Sequence, residues 1–129
     1  MEWRIGTKEG SYNLEAFVKE IGVDLLVAIW GGERPHIGAV AMAQPRPSLR
    51  DPNLTSATAS VFCYLGHKED SIAKEAAERI SSAFRTNVTV TVGIHWDDIN
   101  EDTIGNVVKN SRQLIAMIIE RIAAEKNKT

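Results

Sequence analysis

The stretch Val88-Thr89-Val90-Thr91-Val92-Gly93-Ile94-His95 alternates apolar and small polar residues almost without a break. That period of two marks a strand whose two faces meet different surroundings. It sits between two stretches of helical period. Ahead of it, Ile72, Ala76, Ile80 and Ala83 or Phe84 recur on one side of a helix, with Lys74, Glu75, Glu78 and Arg79 outside and Asp70 placed as the N-cap. Behind it, Asn100 opens a second helix whose first turn carries Glu101 and Asp102, where the helix dipole favours negative charge. Ile104, Val108, Ile115, Ile118 and Ile122 form the buried stripe of that helix, widened by Val107, Leu114 and Ile119. The chain therefore closes on a helix, a strand and a helix.

Upstream the pattern is all strand. A short strand around Trp3–Gly6 turns at Glu9-Gly10 into Ser11–Glu20, where Tyr12, Leu14, Ala16 and Val18 share a side. Val23 to Trp30 is apolar nearly throughout, which predicts a central strand covered on both faces and ended by Gly31-Gly32. Ile37 to Met42 reads as a strand of small residues, and Ala57 to Tyr64 alternates again. Pro45, Pro47 and Pro52 fall between them, so the segment of about 44–56 is expected to be an exposed, flexible loop. Connections before the first helix are too short for crossovers, which favours antiparallel pairing. The expected fold is α+β: a mainly antiparallel sheet of about six strands flanked by two helices, in a single domain spanning 1–129. Excess apolar surface on such a sheet and on the last helix points to a homodimer.

The composition narrows the function. The 129 residues hold 15 basic and 17 acidic side chains, a formal charge of −2, which argues against a nucleic-acid binder that works by displacing counterions. A single cysteine, Cys63, excludes an intrachain disulfide and a zinc site rich in thiolates. No apolar run approaches the roughly 20 residues that span a bilayer, and Met1-Glu2-Trp3-Arg4 does not open a signal peptide, so the expectation is a cytoplasmic protein with no membrane partner.

Chemistry-bearing residues cluster at element boundaries. His36, His67 and His95 each have a glycine one or two residues away, where backbone can approach a ligand closely. Gly66-His67-Lys68 precedes a helix and offers N–H groups and positive charge to a phosphate, with Arg34 as a second anion partner. Trp30 and Trp96 each end a strand beside one of these loops, where an indole can stack on a flat ligand or serve as core. Asp97 and Asp98 read as a base or as the approach to the Asn100 cap. Gly31-Gly32 lacks the third spaced glycine of a dinucleotide fingerprint, and no histidine pair has helical ligand spacing, so neither a catalytic set nor a metal set is assigned.

Gly22-Val23-Asp24-Leu25-Leu26-Val27, Gly31-Gly32-Glu33-Arg34-Pro35-His36-Ile37-Gly38, Gly66-His67-Lys68-Glu69-Asp70 and Gly93-Ile94-His95 together resemble the prenylated-flavin chaperone family, over roughly residues 11–122. These are accessory subunits of gallate and related aromatic-acid decarboxylases, similar in fold to proteasome assembly chaperones. The resemblance implies a dimeric, non-catalytic carrier of prenylated FMN, or of FMN. It would take the reduced cofactor from a flavin prenyltransferase and pass it to a prenyl-FMN-dependent decarboxylase. By motif, Gly31, Gly32, Pro35, His36, Gly38, His67, Lys68 and His95 carry over as cofactor-binding positions, and the reading from residue chemistry adds Arg34 and Trp96. Two other readings stand beside it: an assembly or accessory factor without a small ligand, and a small enzyme using histidine and aspartate.

Overall fold

A computed structural model of the chain describes residues 1–64 and 69–128. The elements are β1 (Glu2–Gly6), β2 (Leu14–Ile21), β3 (Asp24–Gly32), β4 (Ala39–Pro47), β5 (Thr55–Cys63), α1 (Asp70–Phe84), β6 (Val88–His95) and α2 (Glu101–Lys126). The strands form one sheet in the order β1-β2-β3-β6-β4-β5. Every neighbouring pair is antiparallel except β3 and β6, which run parallel from Leu25↔Val88 to Gly32↔His95. The fold is α+β, as expected from the periodicities.

Alternation along the strands builds a core on one face only. The register Val18↔Val27↔Val90↔Ala41 aligns the apolar sets of four strands. Ala73, Ala76, Ala77 and Ile80 of α1 and Leu114, Ile115, Ile118 and Ile122 of α2 pack on that same face, all fully buried. Alanines at 39, 41 and 43 on β4 meet the alanines of α1, so helix and sheet approach closely where neither carries bulk.

Neither α1 nor α2 packs on the other face. Phe17, Ala28, Thr91, Val40 and Phe62 lie in one row across five strands, and Leu26, Thr89 and Met42 lie in the next. Met42 is 64% exposed and Phe62 67%. β3 is thus covered on one face, contrary to the two-faced burial its apolar run suggested: Leu26, Ala28 and Trp30 are only half-buried.

Three further expectations shift. The proline segment is mostly strand, because β4 runs to Pro47 and pairs through Pro45↔Ala57 and Pro47↔Thr55, leaving a turn at 48–54. The β4–β6 ladder ends at Ala43↔Val88, so both prolines fall where β4 has a single neighbour and a missing N–H is tolerated. The N-cap of α1 is Glu69 rather than Asp70, and its side chain makes no capping bond. On α2, Asn100 does close a capping box with Thr103, but Ile104 is 49% exposed, and the buried stripe runs instead through Val107, Asn110, Ser111 and Leu114. No helix among the described residues is long and apolar enough to cross a membrane.

Candidate functional site

Insertion of β6 between β3 and β4 shapes one end of the sheet. The chain leaving β3 must pass over the end of β6 to begin β4. Two backbone bonds fix this bridge, Glu33 N–H to the His95 carbonyl at 2.8 Å and Gly38 N–H to the Val92 carbonyl at 2.8 Å. The crossing is close enough to demand glycines. A β-carbon at Gly93 would collide with the His36 carbonyl, and one at Gly32, whose φ is +96°, would collide with the His95 carbonyl. Gly38 leaves room for the Glu69 carboxylate and Gly31 for the Leu14 side chain. These glycines, singled out in the sequence as contact points for a ligand, hold backbone against backbone or side chain.

Beside the bridge, at the carboxyl ends of the parallel pair, lies a cleft of about 510 Å³. Open sheets place ligand crevices at such ends. Trp30, Gly31, Gly32, Glu33 and Pro35 line one side, Trp96 another, and Thr7, Asn13 and Glu15 of the β1–β2 region complete it. Both indoles are fixed. The Trp30 Nε1–H donates to Glu15 Oε2 at 3.1 Å, and the Arg4 guanidinium lies 5.9 Å from its ring centroid. Trp96 meets the edge of Tyr12 at 5.0 Å between centroids. Tyr12 has a left-handed backbone, φ +62°, secured by the buried Asn110, whose Nδ2 donates to the carbonyls of Ser11 and Tyr12 at 3.0 and 2.8 Å. Asn13 donates to the Gly10 carbonyl at 2.9 Å, while its buried Oδ1 accepts no hydrogen bond from the described residues. A wider groove of about 700 Å³ along β1 shares Thr7 and Glu15 with the cleft, and Arg4, Lys8 and Arg121 border it together with Glu9.

The two described histidines serve the bridge. His36 Nδ1 donates to the Arg34 carbonyl at 2.9 Å, which puts its Nε2 3.0 Å from Glu69 Oε1. Both ring nitrogens therefore face acceptors, Nδ1 the Arg34 carbonyl and Nε2 the Glu69 carboxylate. The same carboxylate oxygen accepts from the Ile94 N–H at 3.3 Å, tying the bridge, β6 and the start of α1 together. His95 Nε2 lies 2.9 Å from Asp97 Oδ1, and Arg34 reaches the other Asp97 oxygen at 3.9 Å. These contacts hold the Asp97 carboxyl below its ordinary range, with hydrogen bonding to His95 the largest cause, followed by Glu33 and the Arg34 charge.

Of the sequence-assigned positions, Gly31, Gly32, Pro35 and Trp96 share the cleft. Arg34 lies between two lining residues and is exposed, whereas Gly38 and the His36 ring belong to the Glu69 contact and the His95 ring to Asp97. His67 and Lys68 lie outside the described residues. Thr7, Asn13 and Glu15 carried no sequence signal, since only the fold brings the β1–β2 region beside the bridge, and Glu33 lay within the quoted Gly-Gly segment without being singled out.

Residues 8–123 match the prenylated flavin chaperone LpdD-like domain. The chain belongs to this family. A curated relative of the LpdD-like family, Protein LpdD of Lactiplantibacillus plantarum, is 28% identical over 118 residues, covering 92% of this chain and 83% of that protein. In fold, the LpdD-like chain is similar to a solved chaperone complex for yeast 20S proteasome assembly, with a TM-score of 0.58 at 13% identity, covering 96% of this chain and 97% of that one.

Proposed function

We propose that this LpdD-like chaperone is a non-catalytic, homodimeric carrier of reduced prenylated FMN, taking the cofactor from a flavin prenyltransferase and delivering it to a prenyl-FMN-dependent aromatic-acid decarboxylase. The observation that carries the reading is the cleft walled by Trp30 and Trp96 at the family's Gly-Gly-x-x-Pro-His-Ile-Gly segment. Its size falls in the roughly 300–1,000 Å³ range of ligand pockets, and its walls suit a planar ring. Glu15, Glu33 and the Asn13 Oδ1 offer acceptors to the N–H groups of a reduced flavin. The phosphate is seated in the adjoining groove, where Arg4, Lys8 and Arg121 outnumber Glu9 and Glu15. A carrier needs only to bind and shield its cargo, and this arrangement asks for no nucleophile and no proton transfer.

The test is anaerobic. Protein mixed with enzymatically made prenyl-FMN hydroquinone is desalted, and its transfer to apo-decarboxylase is timed. Co-elution and faster activation of the decarboxylase are expected, with Lys8→Ala weakening FMN but not riboflavin. Absence of co-elution together with unchanged activation would refute the carrier role.

A further inference from the structure

We infer that Asn110 of α2 is a positioning residue for the cargo cleft, which it shapes from outside by clamping Tyr12. This rests on the carrier reading above. Asparagine is a poor helix former, yet Asn110 sits only 9% exposed in the interior of a 26-residue helix. A buried amide needs partners, and both N–H groups of this one have them. Its Nδ2 donates to the Ser11 carbonyl at 3.0 Å and to the Tyr12 carbonyl at 2.8 Å.

Two successive carbonyls converge on one amide only where the chain turns between them. In an extended strand they point to opposite sides. Tyr12, at φ +62°, brings them to the same side. That left-handed conformation is unfavourable for a residue with a β-carbon, so it persists only where the surroundings hold it.

Two cargo-facing groups depend on this turn. The Tyr12 ring meets Trp96 edge to face, with 5.0 Å between centroids and 77° between planes, and Trp96 walls the cleft. Asn13, the next residue, also lines the cleft, where its buried Oδ1 accepts no hydrogen bond from the described residues. Asn110 itself does not line the cleft. It acts on the cargo through Tyr12, setting wall and acceptor together. Affinity scales with the fraction of chains that hold the competent cleft, so losing the clamp weakens binding without removing a cargo contact.

Anaerobic titration of the full chain with prenyl-FMN hydroquinone tests this in a cycle of Asn110→Ala and Tyr12→Gly. Glycine adopts the left-handed region freely, so Tyr12→Gly keeps the turn without the clamp and loses only the ring. Asn110→Ala is expected to weaken binding about tenfold in the wild type and less than about twofold in the Tyr12→Gly chain. A role confined to packing within α2 would cost the same in both. Without cargo, the near-ultraviolet circular dichroism of Asn110→Ala should lose intensity, since Trp96 no longer meets a fixed tyrosine edge. Should Asn110→Ala fail to fold, Asn110→Ser, too short to reach both carbonyls, enters the same cycle with the same expectation. Equal binding by wild type and variant, an equal cost in both backgrounds, or an unchanged near-ultraviolet spectrum overturns the positioning role and leaves the carrier reading standing. A wild type that binds no prenyl-FMN hydroquinone contradicts the carrier reading itself, and the positioning role with it.

Discussion

The carbonyl oxygen of His36 lies where Gly93 would carry a β-carbon, so the bridge from β3 to β4 rests directly on the backbone of β6. The topology forces this contact, since β6 is the neighbour of both strands that the bridge connects. Gly93→Ala must therefore lift the bridge and break its hydrogen bonds. A loss of about 3 kcal/mol or more is expected in chemical denaturation. A loss under about 1 kcal/mol would mean that the bridge floats free of β6.

The His36–Glu69 contact fastens the same bridge to α1 at 3.0 Å, with both side chains largely buried. A double-mutant cycle over His36→Ala and Glu69→Ala should return a coupling of about 1–3 kcal/mol. Strict additivity would show that the two groups do not act together.

Asp97 sets a pH dependence. Its folded-state carboxyl titrates below the ordinary value, so the stabilisation is fully present above the unfolded value and is lost as pH falls through the lower folded one. The turn after β6 should accordingly loosen only at acid pH, below about 4. A carboxyl carbon titration by NMR checks it: the Asp97 midpoint should lie below the ordinary aspartate value, and His95→Ala should raise it. An unmoved midpoint in the variant contradicts the contact.

Gly105 offers the opposite outcome. It sits exposed in the second turn of α2, and a β-carbon there meets nothing within 4 Å. Gly105→Ala should stabilise the protein by about 0.5–1 kcal/mol, read as a raised Tm with flavin binding unchanged.

Strand alternation and helix period carried most of the fold. β6 was plain from Val88 to His95 because each residue reports its own face. Its place between β3 and β4 was not plain, because pairing across more than fifty residues leaves no local periodicity (Leu25 with Val88, for instance). The one-sided burial of β3 escaped notice for a related reason: Leu26 and Ala28 look like core residues, yet they belong to the face that neither α1 nor α2 covers. Pro45 and Pro47 suggested a loop, since the end of a ladder on one side of a strand has no sequence mark. At the site, the glycines and tryptophans stood out. Asn110, which holds Tyr12 against Trp96, looked like one more polar helix residue, and its burial follows from packing on a turn about a hundred residues away in the chain.

The decisive measurement is an anaerobic titration of tryptophan fluorescence with prenyl-FMN hydroquinone. Trp30 and Trp96 face the cleft, whereas Trp3 is buried beneath Arg121. Saturable quenching at one flavin per chain is expected, lost in a Trp30→Phe, Trp96→Phe variant that keeps only Trp3 as reporter. Quenching that fails to saturate, or that persists undiminished in that variant, would place the cargo elsewhere and contradict the carrier cleft.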